Sequence, residues 1–135
     1  MKKRNSFCDY IKSRNDSLYR EFVGLLGSKG SSLQSVFEML AQVPAPRFFI
    51  SEDRAFNLIK RFFATGKWPR TTLLTRRAML SEIATRVRVL QAFDSSLSLK
   101  DAVFRAVNSP APSFYLTPRS IRTILYGYIH SKMIS

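Results

Sequence analysis

Apolar residues recur at helical spacing in two stretches of the chain that nearly repeat each other. The first, "LQSVFEMLAQVPAPRFFISEDRAFNLI", begins at Leu33, and the second, "LKDAVFRAVNSPAPSFYLTPRSIRTIL", begins at Leu99. They align without a gap at an offset of 66 residues (99 − 33), with apolar residues at matching positions. A solenoid repeat usually spans about 20–50 residues. The longer spacing therefore indicates duplication of a small domain.

Each copy predicts a helix, a stiff corner and a second helix. Apolar residues at i, i+3 and i+4 mark the helices. Pro44 and Pro110 end the first helix of each copy, because the residue before a proline is driven out of the α region. Ser51 and Thr117 are suited to cap the next helix. The repeated "PAP" phrase is thus predicted to be a structural corner.

A further helical stripe precedes each corner. In the first half it consists of Phe7, Tyr10, Ile11, Leu18, Phe22, Val23 and Leu26, and in the second half of Met79, Ile83, Val87 and Leu90. We predict an all-α protein of two tandem, diverged three-helix units, residues 1–63 and 73–135, joined by a linker at 64–72. A unit of about 60 residues is marginal alone, so the two units are expected to pack together.

The charge adds a functional expectation. The chain has 22 basic and nine acidic residues, a net charge of +13. Residues 1–63 hold eleven bases and six acids (+5), and residues 64–135 hold eleven bases and three acids (+8). A field of this sign attracts polyanions. Nucleic acid, DNA more than RNA, is the predicted partner.

Three short helices with a turn before the third are typical of a helix-turn-helix domain, whose third helix enters the DNA major groove by its N-terminal residues. The candidate recognition helices begin at Ser51 and Thr117. Polar residues that can contact phosphates or base edges lie at the second start, at the first start, and in the helix that follows the linker. In that order they are Thr117, Arg119, Ser120, Arg122 and Thr123; Arg54, Asn57, Lys60 and Arg61; and Arg76 and Arg77. Glu52 and Asp53 repel phosphate at the first start, so the second copy is expected to contribute more.

Other interpretations stay open at this point. Binding is either base-specific or sequence-independent, and exposed arginines are also typical of a solvated helix face. A non-enzymatic adaptor that docks on an acidic protein or a ribonucleoprotein is the alternative function, through a ridge of Arg76, Arg77, Arg86, Arg88 and Arg105. The aromatic residues near the corners and in the linker belong either to the core or to a surface for stacking bases: Phe48, Phe49, Phe114, Tyr115 and Trp68.

Catalysis is not expected. One histidine, His130, and one cysteine, Cys8, cannot build a Cys/His metal site, and no phosphate-binding Gly-rich loop is present. We therefore predict no enzyme activity, cofactor or metal. A single cysteine, no apolar run of about 18 residues and a basic start without an apolar segment after it favour a cytoplasmic protein.

The doubled PAPxF[FY] phrase, which in the second copy follows Val107–Asn108–Ser109, resembles a group of small uncharacterised bacterial proteins. The resemblance covers about residues 33–62 and 98–129. It implies a duplicated domain of bacterial or mobile-element origin, and it implies no particular activity.

Overall fold

The computed structural model describes residues 2–27, 32–70 and 72–134, apart from the side chains of residues 2–9 and 134. The described part does not include the side chain of Phe7, a member of the predicted α1 stripe, or that of Cys8. It also does not include Thr71 of the predicted linker. Six helices make up the regular structure: α1 (Lys2–Leu26), α2 (Leu33–Leu40), α3 (Glu52–Thr65), α4 (Leu74–Phe93), α5 (Leu99–Val107) and α6 (Pro118–Ile134). The described residues form no strand, so the predicted all-α fold is confirmed.

The helices follow the register of the repeat. α2 and α5 begin 66 residues apart, and so do α3 and α6. The same capping chemistry starts all four, because a side-chain oxygen accepts the backbone N–H three residues later. These caps are Ser32, Ser51, Ser98 and Thr117, at 3.1–3.2 Å. Each contributes about 1 kcal/mol to its helix, and the predicted caps at Ser51 and Thr117 are confirmed.

Packing divides the chain differently from the predicted tandem order. One compact unit, unit 1, comprises Met1–Ala45 and Ala111–Ser135, and the other, unit 2, comprises Pro46–Pro110. Unit 1 therefore contains α1, α2 and α6, and unit 2 contains α3, α4 and α5, and within each unit all three helices contact one another. We call this the exchanged grouping, because unit 1 contains the last helix of the second copy and unit 2 contains the last helix of the first. The boundaries of these units differ from those predicted at 63 and 73.

The PAP corners are the points at which the chain passes from one unit to the other. The chain leaves unit 1 after Ala45 and returns to it at Ala111. These two buried alanines exchange a pair of backbone hydrogen bonds, each 2.9 Å long. Prolines on both sides of each alanine fix φ and resist a tight reversal. The prolines thus favour an extended course for the chain where it passes between the units.

Unit 1 is built around the apolar faces of its three helices. Leu18 and Phe22 of α1 are buried, and the Phe22 ring stacks on that of Phe37 at 6.1 Å. α6 contributes Ile121 and Leu125, which are 0% and 1% exposed. The buried apolar stripe of α1 is shorter than predicted, because its last members Val23 and Leu26 are each 48% exposed.

Unit 2 has a corresponding core. Ala55 and Ile59 of α3 are fully buried, at the repeat positions of Ile121 and Leu125. α4 and α5 contribute the remaining buried apolar side chains: Met79, Leu80, Ile83, Ala84, Val87, Ala102, Val103, Ala106 and Val107. The predicted α4 stripe is therefore confirmed except for Leu90, which is half-buried.

Three of the four corner aromatics belong to the core. Phe48, Phe49 and Phe114 are 1%, 8% and 5% exposed, and Tyr115 is half-buried. Rings this deeply buried cannot receive a base on their faces, so the three phenylalanines are not a stacking surface.

None of the described helices combines the length and the apolar character that crossing a lipid bilayer requires.

A hydrogen bond in unit 1 links α6 of the second copy to α1 of the first. The Tyr128 hydroxyl donates to Asp16 Oδ1 at 2.7 Å. This bond is the main reason that the pKa of Asp16 is lowered from 3.8 and that the pKa of Tyr128 is raised from 10.0. Lys12, at 3.5 Å, lowers the pKa of Asp16 further.

We expect Tyr128→Phe to reduce the free energy of unfolding near neutral pH by about 1 kcal/mol, as for a partly screened bond to a charged group. Because the folded-state pKa of Asp16 is lowered, its contribution is complete above the unfolded pKa of about 3.8 and is lost as the pH falls further. The difference between variant and parent should therefore shrink below about pH 4. Urea unfolding at pH 3 and pH 6 measures it, with Tyr126→Phe as the control on the same helix. An equal difference at both pH values would show that the bond does not form.

Candidate nucleic-acid interface

The predicted residues at the start of α6 lie outside the core of unit 1. We call Thr117, Arg119, Ser120, Arg122 and Thr123 the α6 face; all five are exposed. Their position follows from the helix period, because Ile121 and Leu125 turn the opposite side into the core of unit 1. The structure thus leaves all five predicted residues exposed, with Arg119, Arg122 and Thr123 on the same side of the helix.

Two of these five residues also have a structural task. Thr117 Oγ1 accepts the backbone N–H of Ser120 at 3.1 Å, and the two hydroxyl oxygens are 3.1 Å apart. Their hydroxyls are therefore engaged in capping. Arg119, Arg122 and Thr123 are the members whose side chains are available for a ligand.

The electrostatics of the α6 face favour an anion. The last acidic residue of the chain is Asp101, so α6 contains none. Within the described part of the chain, Arg119 and Arg122 form no ion pair. The Arg122 guanidinium lies 5.4 Å from the centre of the Tyr126 ring, which leaves its N–H groups able to donate. The backbone N–H groups at a helix N-terminus add partial positive charge.

The corresponding surface of α3 is less favourable. We call Arg54, Asn57, Lys60 and Arg61 the α3 face; all four are exposed. The first turn of α3 carries Glu52 and Asp53. Glu52 is held there by Asn108, whose Nδ2 donates to its carboxylate at 3.2 Å. Two carboxylates thus lie where a phosphate would approach this helix end.

Arg76 and Arg77 do not share one surface. Arg76 is exposed, whereas Arg77 is half-buried. The Arg77 Nε is buried and has no hydrogen-bond partner among the described residues. Arg76 is therefore the better placed of the two for contact with a ligand.

The net charge of the compact units does not single out one of them. Unit 1 has ten basic and four acidic residues (+6), and unit 2 has twelve and five (+7). The larger difference in net charge between the sequence halves, +5 against +8, is absent from the two units, because each unit contains the last helix of the other half. The local arrangement of charge, rather than the total of each unit, distinguishes the α6 face from the α3 face.

Arg86, one of the five arginines of the predicted ridge, is a structural residue. Its Nε donates to Glu82 at 3.0 Å, and its Nη1 donates to Ser109 Oγ at 3.0 Å and to the Pro110 carbonyl. Its guanidinium also covers the Phe48 ring at 4.9 Å. The Glu82–Arg86 pair can be predicted from its i, i+4 spacing in the sequence. The contacts of Arg86 with the corner cannot be predicted in this way.

Nothing in the described residues resembles a metal centre, since no three His, Cys, Asp or Glu side chains lie together. An open depression of about 360 Å³ on α1 is lined by Lys12, Ser13, Asp16 and Arg20. Two of these groups are already paired with each other.

Comparison with known proteins finds no matching family model and no similar curated protein or solved structure, so the geometry alone supports a functional proposal.

Proposed function

We propose that this chain is a non-catalytic nucleic-acid-binding protein of the cytoplasm that takes duplex DNA, in preference to RNA, on its basic helix surfaces. The observation that carries the proposal is the α6 face. It combines two exposed arginines, a helix start and a helix without acidic residues. Phosphates are the ligands that such a surface fits best.

The helix-turn-helix character of the copies belongs to the same proposal. Residues 1–63 and 73–135 are interpreted as tandem, diverged copies of one three-helix ancestor. The third helix of each copy leads with polar residues from its cap onward. In unit 1 that helix is α6, with its apolar side on α1 and α2 and its basic side exposed. The duplicated PAP phrase, shared with the small bacterial proteins that this chain resembles, is consistent with such an origin.

Fluorescence anisotropy tests this function. We expect labelled duplex DNA to bind the full chain at low salt, more tightly than duplex RNA of the same sequence. Affinity should fall steeply with salt, with a log–log slope of about −0.9 for each neutralised phosphate. Purified protein should also carry nucleic acid that a high-salt wash removes. Failure to bind either duplex at low salt would remove the proposal, and the adaptor for an acidic protein or ribonucleoprotein would replace it.

A further inference from the structure

A second surface, in unit 2, combines positive charge with accessible aromatic rings. Between Asp53 and Glu82 the chain has no acidic residue and seven basic ones: Arg54, Lys60, Arg61, Lys67, Arg70, Arg76 and Arg77. The same stretch contains Phe62, Phe63 and Trp68, which are half-buried rather than buried. These rings differ from Phe48, Phe49 and Phe114 of the corners because part of each remains accessible.

Two of the three rings are stacked face to face, whereas the planes of Phe62 and Phe63 are tilted by 48°. Trp68 lies on Phe62 with 4.0 Å between ring centroids and 4° between the planes. The Arg88 guanidinium lies 4.1 Å from the centroid of the neighbouring Phe63 ring. We call Phe62, Phe63, Trp68 and Arg88 the ring cluster.

The backbone on both sides of Trp68 restricts its position. Gly66 ends α3 in the left-handed conformation, at φ 74°, which glycine adopts without strain. The Lys67 N–H donates to Thr65 Oγ1 at 3.2 Å, and Pro69 restricts the residue that precedes it, Trp68. With the backbone restricted and the indole stacked on Phe62, Trp68 is ordered before any ligand arrives, which lowers the entropic cost of binding.

We propose that the ring cluster, with the exposed Lys67 and Arg70 on either side of Trp68, binds an unpaired base of single-stranded nucleic acid. Bases stack face to face on aromatic rings, and this contact is tolerant of sequence because every base has a flat face. In a duplex those faces are covered by neighbouring bases. A ligand that matches both the rings and the flanking cations is a strand with free bases and phosphates.

This inference rests on the proposed nucleic-acid function, but it concerns other residues and another form of the ligand. Its failure is therefore distinguishable from failure of the function. Loss of the ring-cluster site alone would leave duplex binding at the α6 face intact. An acidic peptide would be drawn to Lys67 and Arg70 without a requirement for Trp68.

Trp68 is the single tryptophan of the chain, so intrinsic fluorescence reports on this site directly. We expect oligo(dT) and oligo(rU) to quench the emission of the full-length protein in a saturable manner at low salt. A duplex of the same length should bind by anisotropy with much less quenching. Quenching by both single strands would assign the site to unpaired bases in general, and quenching by one would restrict it to DNA or RNA. Absence of quenching by both, or equal quenching by the duplex, would overturn the proposal.

Charge variants that retain Trp68 distinguish base stacking from general electrostatic attraction. Lys67→Gln with Arg70→Gln should weaken oligo(dT) binding and flatten its salt dependence by about 0.7 for each phosphate that is no longer neutralised. Arg20→Gln with Lys100→Gln removes the same charge elsewhere and should have a clearly smaller effect. Trp68→Leu, followed by anisotropy, should reduce single-strand affinity about tenfold. Equal effects of the two charge variants, or full affinity in Trp68→Leu, would show that the strand does not bind here.

Discussion

Cutting the chain between Gly66 and Lys67 should give two fragments that fold only when they are combined. Residues 1–66 contain α1, α2 and α3, whereas unit 1 requires α6. Without α6, unit 1 loses the burial of Ile121 and Leu125, which is worth about 1.5–3 kcal/mol for each side chain. A loss of this size, about 3–6 kcal/mol, is comparable to the total stability of a small domain, about 5–15 kcal/mol. Unit 2 loses α3 in the same way.

Circular dichroism of each fragment and of an equimolar mixture measures the effect. We expect weak, non-cooperative melting for each fragment alone and a cooperative transition for the mixture. The matched control is the fragment 46–110, which is one continuous stretch and contains all three helices of unit 2. It should melt more cooperatively than residues 67–135, although the two are similar in length. The reverse order would support the tandem grouping in place of the exchanged one.

The sequence predicts the helices well because their signals are local. Caps such as Ser51 and Thr117, and prolines that end a helix, act on residues within one turn of themselves. The spacing of apolar residues identifies the side of each helix that becomes buried. Residues at equivalent positions of the two copies are buried alike, as Phe48 and Phe114 show.

The exchange of the third helices could not be predicted, and the reason is the repeat itself. Ala55 and Ile59 of α3 occupy the same repeat positions as Ile121 and Leu125 of α6. Either helix therefore presents an equivalent apolar stripe to either pair of first and second helices. A hydrophobic pattern specifies which side is buried, but it does not specify the partner. The partner is decided by packing in three dimensions, which the spacing of apolar residues along one helix does not record.

The candidate site was predictable in part for a similar reason. Exposure of Arg119 and Arg122 follows from the helix period. The different roles of Arg86 and Arg88 do not follow from the helix period, because they depend on which distant groups each guanidinium contacts. Arg86 contacts the Pro110 corner, and Arg88 covers the Phe63 ring. Contacts between residues far apart in sequence leave no periodic signal.

The second large effect is expected at the α6 face. Arg119→Ala with Arg122→Ala should weaken duplex DNA binding more than Arg54→Ala with Lys60→Ala, although both variants lose two positive charges. The physical reason is local charge. α6 has no acidic residue, whereas Glu52 and Asp53 occupy the first turn of α3 and Glu52 is held there by Asn108. Since units 1 and 2 differ by only one charge, +6 against +7, their total fields do not account for such a difference.

Anisotropy with duplex DNA at several salt concentrations distinguishes the kinds of contact. If Arg119 and Arg122 each neutralise a phosphate, the log–log salt slope should become shallower by about 0.9 for each arginine removed, to the same extent on every sequence. If one of them contacts a guanine edge instead, the loss should be about 1–3 kcal/mol and confined to sequences with that base. Thermal melting of both variants should match the parent, because all four side chains are exposed. A greater loss of affinity in the Arg54/Lys60 variant would move the interface to α3, where the phosphate would have to approach the helix away from its acidic first turn.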